Sequence, residues 1–217
     1  MKRSMIGLVA VVLTMGAVGM SHASIQGVNL GTGAPPTTLG TFTMTPFGDD
    51  TRPVIGDVSF VDSPLGGPVS FGSVVSHREI GNGWATWSHG YTGDVYYTNG
   101  ATTLELGLPS GTGAFYLYAE PNPFSEHTFV TVETVSGASL TQQIHGSSGA
   151  AGFGFYTDSF DTIQTIQVSS DVDFAVGEFG IAAGGSVIPE PATVIIWSLL
   201  GTLAVGVACW RRKWKII

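Results

Sequence analysis

From position 41 to about 181, apolar and polar residues alternate with a period of two or gather in short apolar runs, and Gly, Pro, Asn and Asp break the runs apart. Gly56-Asp57-Val58-Ser59-Phe60-Val61 alternates, and 69–75 forms a second run. Trp84-Ala85-Thr86-Trp87 follows a Gly81-Asn82-Gly83 break, and 94–97 is a short strand candidate. Thr98-Asn99-Gly100 reads as a tight turn, with Gly free to take positive φ. Beyond it, 102–108, the aromatic stretch 114–119, 128–135, 138–144, 152–156, 163–169 and 174–179 continue the series. No stretch carries a 3.6-residue stripe, and no repeat recurs at a fixed spacing. About ten strands at this spacing predict an all-β fold, an antiparallel β-sandwich of jelly-roll-like type, over 41–183. Residues 24–40, rich in Gly, Thr and Pro, are expected to be irregular or to form an edge strand.

The two ends break the β pattern. Met1-Lys2-Arg3, an apolar stretch to Met20 and Ser21-His22-Ala23 have the charged, apolar and small-x-small parts of a signal peptide. Cleavage is expected between Ala23 and Ser24, through the Sec pathway and signal peptidase. At the other end a Gly-rich linker, 184–188, leads to Pro189-Glu190-Pro191. The uncharged run 192–210 matches the ~20 residues of a transmembrane helix. Arg211, Arg212, Lys213 and Lys215 follow in the tail 211–217, and such a basic cluster marks the cytoplasmic side. Pro191 suits a first helical turn, and Trp210 and Trp214 sit where an interfacial aromatic belt lies.

Pro189-Glu190-Pro191, the apolar run 192–210 and the basic tail, in this order at the terminus, resemble the PEP-CTERM sorting signal of Gram-negative bacteria. The resemblance covers 189–217. It implies recognition and processing by an exosortase near the tripeptide, a transient inner-membrane anchor with its C-terminus in the cytoplasm, and delivery to the cell surface or outside. It also implies association with exopolysaccharide or biofilm matrix. The tail departs from the pattern by ending in Ile216-Ile217 rather than in arginines. Within the middle, the stretches 83–96, 114–121 and 173–180 resemble ectodomains that travel with such signals, and these supply no catalytic residue.

Charge and cysteine content narrow the chemistry. Apart from the two ends, only Arg52 and Arg78 stand against fifteen carboxylates, a net of −13. Nucleic-acid binding rests on Lys and Arg neutralising phosphates, so that partner is excluded. The single cysteine, Cys209, lies in the apolar run. A disulfide, a CxxC zinc site and a cysteine nucleophile are thereby excluded from the domain.

His77, His89, His127 and His145 lie 12, 38 and 18 residues apart and match no zinc spacing. Ser88-His89 and His145-Gly146-Ser147 put hydroxyls beside imidazoles, but no Gly-x-Ser-x-Gly elbow occurs. Asp158, Asp161, Asp171 and Asp173, with Glu178 beyond, cluster near the last turns, and Asp49, Asp50 and Asp57 form a second group. Calcium favours such oxygen ligands, and Asp158 and Asp161 are its candidates here; no other cofactor is expected. Trp84, Trp87 and Tyr91 are the candidates for stacking on sugar rings, with core packing the competing use of such residues. The sequence therefore points to an exported, non-catalytic structural or interaction protein of the surface or matrix. A carbohydrate-binding module of the exopolysaccharide matrix is the alternative, and an extracellular hydrolase ranks behind both.

Overall fold

The computed structural model describes residues 25–122, 128–134, 137–157 and 162–184, together with positions 200 and 203. The expected signal peptide with Ala23 and Ser24, His127, the calcium candidates Asp158 and Asp161, the Pro189-Glu190-Pro191 motif and the basic tail lie outside the described residues. Among the described residues no helix is long and apolar enough to cross a membrane.

Among the described residues the chain forms fifteen strands. They are β1 (Ile25–Gly31), β2 (Thr38–Leu39), β3 (Phe42–Thr43), β4 (Thr45–Pro46), β5 (Asp57–Asp62), β6 (Pro68–Ile80), β7 (Gly83–Trp84) and β8 (Asp94–Tyr97). β9 (Thr103–Gly107), β10 (Thr112–Pro121), β11 (Thr128–Thr134), β12 (Ser139–Ile144), β13 (Ala151–Thr157), β14 (Thr165–Ser170) and β15 (Phe174–Ala183) follow. Thirteen join one curled, almost wholly antiparallel sheet ordered β1-β13-β10-β15-β8-β6-β9-β14-β11-β12; β4 adds to β15, and β5 and β7 add to β6. β2 and β3 form a separate ribbon.

The long strand β6 turns the sheet. Its first half pairs with β9 through Ser70 and Phe71, and its second half pairs with β8 through Ser76, His77 and Arg78. The curl brings the two ends of the path together. A methyl group on Gly27 in β1 would meet Leu140 of β12 at 2.9 Å, and Gln142 Nε2 donates to Gly152 O at 2.7 Å.

The expected strands are largely present. The 94–97 strand has the predicted bounds, and the turn after it forms with Asn99 at φ 55° and Gly100 at φ 91°. Residues 25–31, expected as irregular or as an edge strand, are the edge strand β1. The expected strand 84–87 is corrected: only Gly83–Trp84 pairs, parallel to Glu79–Ile80, and the chain then leaves the sheet. β6, β10 and β15 run further than expected. In β10 the reason is two-sided burial, since all ten residues are buried and the alternation that marks a half-exposed strand is missing.

Inside the curl, Phe71, Leu106, Phe115, Leu117, Phe153, Ile166, Phe174, Val176 and Ile181 form the main core. On the outer face of β10, Tyr116, Tyr118 and Ala114 pack with Leu39, Met44 and Ala150 in a second, smaller cluster. The β2–β3 ribbon and the side chain of Trp87 cover that cluster.

A bulge in β15 separates these faces. Tyr116 pairs with Gly180 but Tyr118 with Gly177, so β15 carries one extra residue there. Phe174 and Val176 face the inner core, and simple alternation would send residue 178 inward too. The extra residue passes the inward series to Phe179 and Ile181, and Glu178 turns outward with φ 49°.

The pairing also requires Gly180, because an added Cβ would meet Tyr116 Cε1 and Cζ at 2.2 Å. Gly180→Ala is expected to lower unfolding stability by about 1–3 kcal/mol. Urea denaturation checks this, and an unchanged midpoint would show that Tyr116 is free to move aside.

Candidate functional site

The segment between β7 and β8 carries Trp87, Ser88, His89 and Tyr91, and it lies across the outer face as a strap. Gly83 starts it with φ 96°, where a Cβ would sit 2.8 Å from Arg78 Cδ. Ser88 to Tyr91 closes a turn, with Tyr91 N donating to Ser88 O at 3.0 Å and both central residues, His89 and Gly90, at positive φ. Ser88 Oγ donates to Ala150 O.

Two carboxyls, one fully buried and one half-buried, hold the strap. Glu120, at the end of β10, is fully buried. Trp84 Nε1 donates to its Oε2 at 2.8 Å, and Thr86 Oγ1 donates to its Oε1 at 2.6 Å. Glu178, the bulge residue of β15, accepts Trp87 Nε1 at 2.9 Å and meets His89 Nε2 at 2.6 Å. His89 Nδ1 lies 3.2 Å from Thr32 O, so both ring nitrogens face acceptors.

Burial pushes the Glu120 carboxyl up to about 7, even though the Thr86 and Trp84 hydrogen bonds favour the charged form. Burial raises Glu178 as well, against the opposing pull of His89 and Trp87. A contrasting cluster lies beside β8. Burial would raise Asp50, but the Arg52 side chain and backbone N–H and the Tyr96 hydroxyl donate to it and bring it down to about 2. Asp94 accepts from Asp50 N at 2.7 Å and pairs with the buried His77 Nε2 at 2.7 Å, while His77 Nδ1 faces Pro53 O at 3.2 Å.

Three clefts border the strap. One, of about 250 Å³, is lined by Phe47, Asp49, Tyr91, Asp94, Tyr116 and Glu178 among others. The second, of about 220 Å³, lies between Trp84, Tyr97, Arg78, Glu120, Asn122 and Gly146. The third, of about 600 Å³ and open, runs along Gly90, Tyr91, Thr92 and Gly93 beside Asp49, Asp50 and Asp94.

Of the sugar-stacking candidates, Trp84 therefore lines the second cleft and Tyr91 the first, while Trp87 serves the outer cluster. They do not form one platform. The Ser–His neighbours do not form a triad. Ser88 is committed to Ala150 O, and Ser147 Oγ and N both lie against His145 Nδ1 at 2.7 and 3.2 Å, capping a local turn. Among the described residues His145 makes no ion pair. The carboxylate groups also disperse: Asp173 accepts from Tyr97 and Asn122, Glu178 takes the strap, and Asp50 takes Arg52. Among the described residues no group of three or more His, Cys, Asp or Glu is placed to hold a metal.

Sequence reading missed Glu120, Arg78 and Asn122 as site residues. Their one signal was indirect: Glu120 is a charged residue closing an otherwise uncharged aromatic strand. No protein-family model matches this chain, and no curated protein matches it.

Glu120 and Asp50 set opposite slopes of stability against pH. Glu120 binds its proton more tightly folded than its ordinary value of 4.5, so its contribution is full below pH 4.5 and declines as pH rises through about 7. Asp50 contributes above its ordinary value of 3.8 and loses that contribution as pH falls through about 2. Glu120→Gln is expected to remove a decline of up to roughly 3 kcal/mol between pH 4.5 and 7. Chemical denaturation of both proteins across that window checks it; parallel curves would mean that Glu120 stays ionised.

Proposed function

We propose that this chain is an exported, non-catalytic interaction protein of the cell surface or extracellular matrix, delivered by a PEP-CTERM signal and processed by exosortase. The ordered set of Pro189-Glu190-Pro191, the uncharged run 192–210 and Arg211, Arg212, Lys213 and Lys215 carries the reading. The signal-peptide pattern ending at Ala23 supports it from the other end: the chain leaves at its start and returns to the membrane at its finish. The curled sheet, read as a jelly-roll-like sandwich, supplies a closed core without a disulfide, as an exported domain whose only cysteine is Cys209 requires. The non-catalytic part of the reading is supported by the engagement of Ser88, Ser147 and His145 in local backbone and turn contacts. Calcium at Asp158 and Asp161 stays a proposal of the sequence pattern alone.

A second reading, carbohydrate binding, is favoured by one observation: Trp84 and Tyr97 line a cleft that also holds a guanidinium and a carboxyl.

Mass spectrometry of the mature protein from its host tests the first reading. A protein starting at Ser24 and ending close to Pro191 is expected. A mature C-terminus at Ile217 would refute exosortase processing.

A further inference from the structure

The cleft at the start of the strap has a composition that its own contacts leave incomplete. Trp84 and Tyr97 meet at 5.5 Å between ring centroids with a 43° tilt, forming two walls of a corner. The Arg78 guanidinium lies over the Tyr97 ring at 5.5 Å. Its Nε donates to Ser76 Oγ at 3.0 Å, and among the described residues it makes no ion pair, whereas Arg52 is paired with Asp50. Glu120 is the fully buried carboxyl of the same cleft, and its two donors are neutral groups, an indole and a hydroxyl. A guanidinium and a carboxyl thus share one cavity without pairing to each other. Asn122, exposed at the rim, adds an amide.

Glu120 is fully buried and both its oxygens already accept, so the groups the cleft leaves to a ligand are the Arg78 guanidinium, the Asn122 amide and the aromatic rings. The matching ligand must present acceptors to a guanidinium and an apolar face to a ring. A phosphate alone offers no apolar face, and a purely apolar ligand would strand the guanidinium. A pyranose meets both demands, because its hydroxyls accept and its axial C–H groups make an apolar face. A cavity of about 220 Å³ is on the scale of one sugar ring rather than of a whole oligosaccharide.

The geometry points to the Trp84–Tyr97–Arg78–Glu120 cleft as a subsite for one pyranose unit of an extracellular polysaccharide. The inference rests on the carbohydrate reading above and assigns it to one cleft. Trp84 supplies the stacking face, Arg78 donates to a ring hydroxyl or to a uronate carboxylate, and Asn122 closes the rim. Neutral and uronic sugars share this chemistry, and Arg78 is the residue that tells them apart. The first cleft, with Asp49, Asp94 and Glu178 on its walls, has no guanidinium among its lining residues.

Isothermal titration of the full-length protein in detergent with cellohexaose and, separately, with hexagalacturonate tests the assignment. Binding of either probe is expected, with Arg78→Gln and Trp84→Phe each weakening it by about tenfold. Circular dichroism confirms that each variant is folded, and Asn122→Ala, at an exposed position, provides a rim variant that leaves the buried carboxyl untouched. Loss confined to hexagalacturonate on Arg78→Gln identifies a uronate as the occupant; equal loss on both probes identifies a neutral ring. Binding by the unmodified protein that survives Arg78→Gln and Asn122→Ala but falls on Trp87→Phe would overturn this cleft while leaving the carbohydrate reading in place. No heat with either probe overturns both.

Discussion

The outer face of β10 and β15 depends on a pairing between indole N–H groups and carboxyls. Glu120 and Glu178 sit on a face that the strap covers, and a carboxyl removed from water destabilises the fold unless donors replace the lost solvent. Each receives two donors from the same short segment: Trp84 and Thr86 for one, Trp87 and His89 for the other. The two pairings fix the course of the strap at both ends. They also decide which aromatic rings face solvent, because an indole held by its N–H has little freedom left to turn. Trp84 lines a cleft as a result, while Trp87 is drawn onto the cluster of Tyr116 and Tyr118.

The bulge in β15 is the geometric condition for the second pairing. Without the extra residue between Gly177 and Gly180, position 178 would face Phe115 and Leu117 in the inner core, where a glutamate has no donors. Bulges re-aim single side chains at the expense of one ladder position. Here the re-aimed residue is also at positive φ, a conformation a non-glycine residue keeps only when its surroundings impose it. The His89 ring and the Trp87 indole are those surroundings. Glu178 and the strap turn at His89–Gly90, itself in the left-handed region, therefore stabilise each other's unusual backbone.

Much of the sheet was legible because a half-exposed strand writes its faces into the sequence. β9 and β12 are such cases, with exposed and less exposed positions alternating along each, whereas Asp94-Val95-Tyr96-Tyr97 was found from its bounds at Gly93 and Asn99-Gly100. The strap was not legible for the same reason in reverse. Trp84-Ala85-Thr86-Trp87 looks like a strand, since indoles three residues apart would take opposite faces, but its side chains serve hydrogen bonds to two different strands rather than two faces of one. The bulge was illegible because it is a mismatch of register, and register belongs to a pair of strands, not to either alone. Of the candidate site, Trp84, Trp87 and Tyr91 stood out by residue type. Glu120 did not, because a lone glutamate at the end of an aromatic strand reads as a solvated terminus until Trp84 and Thr86 are seen to bury it.

The three carboxyl environments differ in the charge of their donors, and this difference separates structure from recognition. Asp50 meets a guanidinium two residues away, falls to about 2 and is complete. Glu178 meets the His89 ring and an indole and is likewise closed. Glu120 meets only neutral donors and is pushed up to about 7, although the second arginine of this acidic fold stands on the same cleft. If stability alone had shaped that corner, a direct Arg78–Glu120 pair would be the simpler solution, and it would hold Glu120 low as Arg52 holds Asp50. Arg78 instead turns to Ser76 and stands with Trp84 and Tyr97 on the cleft, while Glu120 is closed off by its two neutral donors. A guanidinium left without a carboxylate partner among the described residues, beside two aromatic rings, is the feature on which the proposed sugar subsite rests.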